Sequence, residues 1–139
     1  MARGSITGWE EVKRNINKFA RIAGHQAVRD GVYGISLDAA EEIRARTPVG
    51  PTGNLRRSIR ARKFSKEKGQ FIAFTAIDRK IAPHAHLVEF GHRTLDGGHV
   101  PAHPFFRPVM RKYRNGKYLK RMEKVMQGIV RKVRPDGNW

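Results

Sequence analysis

A segment rich in proline and glycine divides the sequence into two parts with different spacing of apolar residues. Residues 47–53, Thr-Pro-Val-Gly-Pro-Thr-Gly, cannot continue a helix, because proline pushes the preceding residue out of the α region and glycine adds backbone freedom. Apolar residues recur at helical spacing before this segment and at alternate positions after it. The sequence therefore predicts a helix that stops near Arg46 and β-structure that begins near Ser58.

The N-terminal third is predicted to be helical. Thr7-Gly8-Trp9-Glu10 has the S/T-x-x-E form of a capping box, which favours a helix start at this point. Glycines at positions 24, 31 and 34 weaken the pattern, so we expect two helical stretches joined by a bend. Two apolar stripes define these stretches: Val12, Ile16, Phe19 and Ala23, then Val32, Ile35, Ala39 and Ile43.

The rest of the chain predicts a hairpin and a C-terminal helix. Strands are expected from Ser58 and over residues 71–77, with residues 65–70 as a mobile loop between them. Residues 84–91 form a third ordered piece, either a strand or a helical turn, before a second mobile loop at residues 92–100. From Phe106 onward, apolar residues at helical spacing predict an amphipathic helix or helix pair, broken at Asn115-Gly116.

These patterns predict an α+β fold with a long N-terminal helix, a small antiparallel sheet of three or four strands that includes a β-hairpin, and a C-terminal helix packed on the sheet. We expect a single domain over residues 1–139, with its core at about 8–134 and a disordered tail at residues 135–139. The absence of cysteine excludes thiol catalysis, zinc ribbons and disulfides. We expect no membrane partner, because no apolar run is long enough to span a bilayer and no signal-peptide pattern opens the chain.

The chain is strongly basic, with a formal net charge of +17, and 21 of its 29 Lys and Arg residues lie in residues 51–139. Such a surface favours a polyanion, an acidic protein partner or an assembly that shares the charge. No zinc finger or base-stacking motif is present, so a basic face that meets acidic subunits is favoured over sequence-specific DNA recognition, and non-specific DNA contact stays open. Candidate contacts with DNA or an acidic partner are Arg57, Arg60, Arg62, Lys63, Lys66 and Lys68.

No pattern typical of an enzyme stands out. Five of the six histidines lie between residues 84 and 103, and His84, His86 and His92 are weak candidates for metal ligands. No H-E-x-x-H, P-loop or G-x-S-x-G motif occurs, and Asp38 with Glu42 is interpreted as a solvated helix edge. We expect neither enzymatic activity nor a cofactor, and a metal-dependent hydrolase ranks below the binding alternatives.

Three segments in order resemble the motifs of one protein family. Residues 48–59 resemble P-V-x-T-G-x-L-R-x-S-I with one extra residue, residues 84–92 resemble Y-A-x-x-V-E-F-G-T, and residues 101–109 resemble P-x-P-F-x-R-P-A. The first and last residues of the second segment depart from the motif, since His84 and His92 stand there. The family is that of the tail-component, or neck and tail-completion, proteins of long-tailed bacteriophages and prophages. The matching residues are Pro48, Thr52, Gly53, Leu55, Arg56, Ser58, Glu89, Phe90, Gly91, Pro104, Phe105, Arg107 and Pro108.

The resemblance implies a structural protein of the virion neck, made in the host cytoplasm, that assembles into a ring and meets neighbouring neck and tail-tube proteins. A hexamer is one candidate for that ring, and its inner surface could contact genomic DNA. The alternative function is that of a small basic protein that binds DNA non-specifically.

Two local expectations follow from the residues of these motifs. Glu89 is a single acid in an apolar setting, and we expect it to pair with Arg56, Arg57 or Arg107, within or between subunits. Phe105 and Phe106 are expected to anchor the C-terminal helix to the sheet, with the flanking prolines setting the start of that helix.

Overall fold

The computed structural model describes Glu10, Arg14, Asn17 and residues 26–65 and 71–133. The predicted capping box, first apolar stripe, hairpin loop and C-terminal tail lie outside the described residues, except for the helical Glu10 and for Ser65, the first residue of that loop. The elements in chain order are helix α1 (Gln26–Arg46), helix α2 (Asn54–Ser58), strands β1 (Ile59–Ser65) and β2 (Phe71–Ile77), helix α3 (Ala85–Phe90), strands β3 (His92–Arg93) and β4 (His99–Val100), helix α4 (Arg107–Lys112), a π-helical turn (Tyr113–Lys117) and helix α5 (Tyr118–Val133). The predicted α+β fold is confirmed.

Helix α1 lies between the hairpin and the C-terminal helices. On one face, the backbone oxygen of Ser36 accepts a hydrogen bond of 2.8 Å from Thr75 of β2, and Arg44 donates to the backbone oxygen of Ile59 at the start of β1. On the opposite face, Asp38 forms an ion pair of 3.0 Å with Arg121 of α5. At about 100° per residue, residue 36 points about 160° away from residue 38 and residue 44 about 120° away, so one helix contacts both layers.

The strands form two separate pairs. Strands β1 and β2 are antiparallel, with Ile59 opposite Ile77 and Ser65 opposite Phe71, and β3 pairs with β4 through His92 opposite Val100. Four strands were within the predicted number, but the described residues contain two two-stranded sheets and not one. Within residues 84–91, the segment Ala85–Phe90 forms helix α3. Residues 92–100, predicted to be a mobile loop, form the short second hairpin.

The C-terminal helix does not lie on the sheet as predicted. Helix α5 packs chiefly on α1, and the chain kinks before it at Asn115 and Gly116, whose backbone angles are not helical. The break predicted at this pair is confirmed. In this packing Val125 of α5 lies against Gly31 of α1, and the acidic side chains of α1 meet the cations of α5 and of the turn before it.

The core consists mainly of apolar residues from helices α1 to α4, the start of strand β1 and the π-helical turn. Helix α1 contributes three of the four residues of the predicted second stripe, which are buried, and Phe105 is fully buried beside them. Burial of such side chains supplies most of the free energy that opposes chain entropy. The buried cluster comprises Ile35, Ala39, Ala40, Ile43, Leu55, Ile59, Ala82, Ala85, Phe105, Val109 and Tyr113.

Substitution of two glycines of α1 by alanine should have opposite effects on stability. A Cβ added at Gly31 would lie 2.2 Å from Val125 of α5, whereas one added at Gly34 meets nothing within 4 Å. We expect Gly34→Ala to raise the free energy of unfolding by about 0.5–1 kcal/mol through helix propensity. We expect Gly31→Ala to lower it by about 1 kcal/mol, since overpacking exceeds that gain.

Urea unfolding of the two variants beside the wild-type chain measures both effects. Equal stabilisation by the two substitutions would show that α5 does not approach α1 at Gly31.

Candidate assembly site

The first motif segment connects α1 to the hairpin through a series of local hydrogen bonds. Thr47, buried at the end of α1, donates its hydroxyl to the backbone oxygen of Ile43 at 2.7 Å. Gly53 has a φ of +63°, and its amide closes a turn on the backbone oxygen of Gly50 at 3.1 Å. A side chain at position 53 would be strained there, which explains why glycine precedes α2.

Helix α2 then places two residues of the motif in the core. Leu55 is buried, and Ser58 is fully buried with its hydroxyl donating to the backbone oxygen of Leu55 at 2.6 Å. Arg56, on the same short helix, is exposed. Ile59, the last residue of the motif and the first of β1, is also fully buried. The T-G-x-L-R-x-S-I pattern therefore specifies a turn, three core positions and one cation on the surface.

The second and third motif segments meet at the carboxylate of Glu89. This side chain is buried, and its Oε2 accepts hydrogen bonds from the backbone amides of Phe105 at 2.9 Å and Phe106 at 3.0 Å. Its Oε1 accepts from the backbone amide of Arg107 at 3.0 Å and from Nε of the same residue at 3.1 Å. The carboxylate thus caps α4 by binding the amide of its first residue and the two amides that precede it.

The predicted pairing of Glu89 with Arg107 is confirmed, whereas Arg56 and Arg57 do not bind it. Arg57 donates instead to the side chain of Asn54. The sequence does not predict the three backbone donors, because every residue except proline carries the same amide group, whatever its side chain. A signal was present in the sequence, since Pro104 and Pro108 lack amide hydrogens and bracket three consecutive donors.

These contacts keep Glu89 ionised. Burial raises the pKa of a carboxyl group, but the amides of Phe106, Arg107 and Phe105, together with the Arg107 guanidinium, outweigh it and hold the pKa of Glu89 below its ordinary value of 4.5. A charge buried in this way is costly unless every lone pair is used, and here four donors use them.

Gly91 completes the junction by letting the backbone of residues 100–102 approach. Its φ is +73°, and an added Cβ would lie 2.7 Å from the amide nitrogen of Ala102 and from the backbone oxygen of Val100. The amide of His103 also donates to the backbone oxygen of Val88 at 2.8 Å. Glu89 and Gly91 of the E-F-G motif therefore contact the same segment, residues 100–107. Gly91 lies against its first residues, and Glu89 binds the amides of its last three.

Phe90, between them, faces the surface and is 60% exposed. The Arg107 guanidinium lies 4.4 Å from the centre of its ring, a cation–π contact. Beside this pair is an open groove of about 610 Å³, floored by Ile77, Ala82 and Phe106. The same groove is edged by Arg79, His86 and Arg107. We call it the Phe90 groove.

A second carboxylate joins α1 to the C-terminal helices. Glu42 accepts hydrogen bonds from the hydroxyl of Tyr113 at 3.0 Å, from Lys112 at 3.4 Å and from Lys117. Burial and this carboxylate raise the pKa of Tyr113 to about 12. The interpretation of Asp38 and Glu42 as a solvated edge is therefore wrong, since each binds a cation from the C-terminal part of the chain.

Among the described residues, the predicted basic contacts lie on different faces of the molecule. Arg60 and Arg62 lie on the outer face of the hairpin, where Arg62 binds Asp78 at 3.0 Å. Lys63 lies on the opposite face, 4.9 Å from the ring centre of Tyr33 in α1. Lys66 and Lys68 lie outside the described residues.

The three candidate metal ligands are not gathered into a metal site. Within residues 26–65 and 71–133, no group of three or more His, Asp or Glu side chains could hold a metal ion. His84 precedes α3, His86 contacts the backbone oxygen of Pro83 at 3.1 Å, and His92 lies on β3. In the described part of the chain, no helix is both long and apolar enough to cross a membrane.

The cap predicts a large effect from a small substitution. Glu89→Gln replaces one acceptor oxygen by an NH₂ group that faces amide donors, and we expect it to lower the free energy of unfolding by about 3 kcal/mol. Glu123→Gln is the matched control, because Glu123 is exposed on α5 and contacts only Gln127 within the described residues. Chemical denaturation would measure both, and an unchanged midpoint for Glu89→Gln would contradict the cap.

Because the pKa of Glu89 is lowered, the difference in free energy of unfolding between the wild-type chain and Glu89→Gln should depend on pH. Because the folded-state pKa lies below that of the unfolded chain, the carboxylate stabilises fully above pH 4.5, and that stability is lost as pH falls through the folded-state value. The gap between the wild-type chain and Glu89→Gln should therefore be constant from neutral pH down to about 5 and narrow below it. Unfolding curves at a series of pH values would show this, and a gap that is unchanged in acid would refute it.

Comparison with known proteins matches part of the chain to a family of phage proteins. The model of the HK97-gp10-like family, described as "Bacteriophage HK97-gp10, putative tail-component", matches residues 10–91. This range includes the first motif segment and the E-F-G motif. Searches of the curated proteins and of the solved structures give no match.

Proposed function

The chain belongs to the HK97-gp10-like family of phage tail components, and on that basis we propose that it is a structural protein of the virion neck that completes the tail at the head–tail junction by forming a ring. The family match over residues 10–91 is the observation that carries this proposal. Membership in a family of tail components supports a location in the virion, with assembly in the host cytoplasm. The protein acts by binding, without catalysis.

The way the motif residues are used supports an architectural role. Ser58, Glu89 and Phe105 are buried and serve packing or hydrogen bonding inside the fold. Phe90 and Arg56 are exposed on the same elements, where a neighbour could reach them. Rigid elements that present a few exposed anchors suit a subunit whose task is to bind other subunits.

The charge of the chain supports acidic neighbours. Lys120, Lys124, Arg131 and Lys132 are exposed on α5. In a ring, repeated copies of this face would create a strong positive field, which acidic neck or tail-tube proteins or the genome would neutralise. The partners we propose are therefore further copies of the chain, with a hexamer as one candidate, acidic neighbours above and below, and non-specific contact with genomic DNA.

The mass of the protein in solution tests the proposal. Light scattering on a sizing column, over a series of protein concentrations at low and moderate salt, should give one discrete multiple of 15.9 kDa as concentration rises. Moderate salt should favour assembly by screening repulsion between the basic subunits.

Two outcomes would contradict the proposal. A monomer at every concentration and salt would count against self-assembly into a ring. A monomer that moves onto duplex DNA and leaves it steeply as salt rises would favour the small DNA-binding protein instead.

A further inference from the structure

The turn between β3 and β4 presents an apolar side chain on a fixed backbone. Leu95 is 111% exposed, and every residue from Leu95 to Val100 is exposed. The turn is closed by the amide of Thr94 donating to the backbone oxygen of Gly98 at 2.9 Å and by the amide of Gly97 donating back to Thr94 at 3.1 Å. Because the backbone of this turn is already ordered, binding costs little backbone entropy, and covering the leucine side chain removes apolar surface from water.

Asp96, the next residue, adds a carboxylate beside that leucine. Its Oδ1 accepts hydrogen bonds from the Thr94 hydroxyl and from the amide of Gly98, the latter at 3.3 Å. Its Oδ2 has no hydrogen-bond partner among residues 26–65 and 71–133. The hydrogen bond from Thr94, then those from the backbone, lower the pKa of Asp96, so the tip carries an apolar group and a negative charge together.

The Phe90 groove has the opposite chemistry. Its floor is apolar, and both oxygens of Glu89, the one carboxylate that lines it, are already occupied by the amides of residues 105–107 and by Nε of Arg107. Arg79 at its edge has no ion-pair partner among the described residues. Its volume of about 610 Å³ lies within the range of sites that enclose ligand-sized groups.

We propose that the Thr94–Gly98 turn of one copy of the chain inserts into the Phe90 groove of a second copy. Leu95 covers the apolar floor, and the Asp96 carboxylate meets Arg79 and the guanidinium of Arg107. The turn and the groove are different surfaces of one chain, so a copy can insert its turn into a second copy while its own groove receives the turn of a third. Repeats of that head-to-tail contact can close into a ring. This inference rests on the ring assembly proposed above and names its contact.

Charge complementarity argues for this occupant. Copies with a net charge of +17 repel one another, so a stable contact needs an acidic group of one copy to face a cation of the next. Asp96 lies beside a fully exposed leucine, so the charge and the apolar anchor enter the groove as a unit. Within one chain this contact is not made, because Leu95 is fully exposed.

Disulfide trapping tests the contact directly, because the chain has no cysteine of its own. Full-length chain carrying Leu95→Cys and His86→Cys should give a ladder of disulfide-linked multiples under mild oxidation, since His86 edges the groove. The matched control carries Leu95→Cys with Lys120→Cys, an exposed position on α5, and should remain monomer with trace dimer. Non-reducing gels read both, and sedimentation of the wild-type chain in the same buffer gives its own association.

A charge swap then tests the ion pair. Adding Asp96→Lys to the first cysteine pair should remove the ladder, and adding Arg79→Glu to that variant should restore it. A ladder that Asp96→Lys leaves unchanged overturns the charge contact.

The remaining outcomes separate this inference from the proposed function. A wild-type chain that associates while the Leu95→Cys, His86→Cys variant gives no more ladder than the control overturns the insertion and leaves the ring in place. A wild-type chain that stays monomeric, with no ladder, overturns both.

Discussion

The carboxylate of Glu89 fixes the C-terminal helices against α3. A buried charge would destabilise the fold on its own, so its four donors must stay in place, and three of them are consecutive backbone amides of residues 105–107. That requirement fixes the position of the start of α4, because these amides must stay within hydrogen-bond distance of the carboxylate. Gly91 then allows residues 100–102 to lie against the end of α3. The Phe90 groove and the β3–β4 turn both extend from this junction, so it sets the geometry of the two surfaces that we assign to assembly.

The structure shows a physical role for many residues of the family motifs. Their buried members make a turn, a core or a cap, as with Gly53, Leu55 and Glu89. Their exposed members, Phe90 and Arg107 above all, occupy the surface that the buried ones hold rigid. A motif of this kind describes how a subunit is shaped for contact, and it does not need a reactive group.

Local features of the fold could be predicted from the sequence, and contacts between distant segments could not. The end of α1 at Arg46, strand β2 at residues 71–77 and the kink at Asn115-Gly116 depend on proline, glycine and apolar spacing within a few residues. The packing of α5 on α1 brings Asp38 and Glu42 to cations about 75–83 residues away, which no spacing pattern encodes. Glu89 was recognised as an acid that needs a partner, but its backbone donors carry no side-chain signature.

Amide hydrogen exchange at residues 105–107, followed by NMR, tests the Glu89 cap most directly. If the carboxylate binds these amides, all three should exchange slowly at neutral pH, through openings close to global unfolding, while the amide of the exposed Leu95 exchanges fast. In Glu89→Gln the same three amides should lose protection before the rest of the core does. Exchange at residues 105–107 as fast as at Leu95 in the wild-type chain would contradict the account.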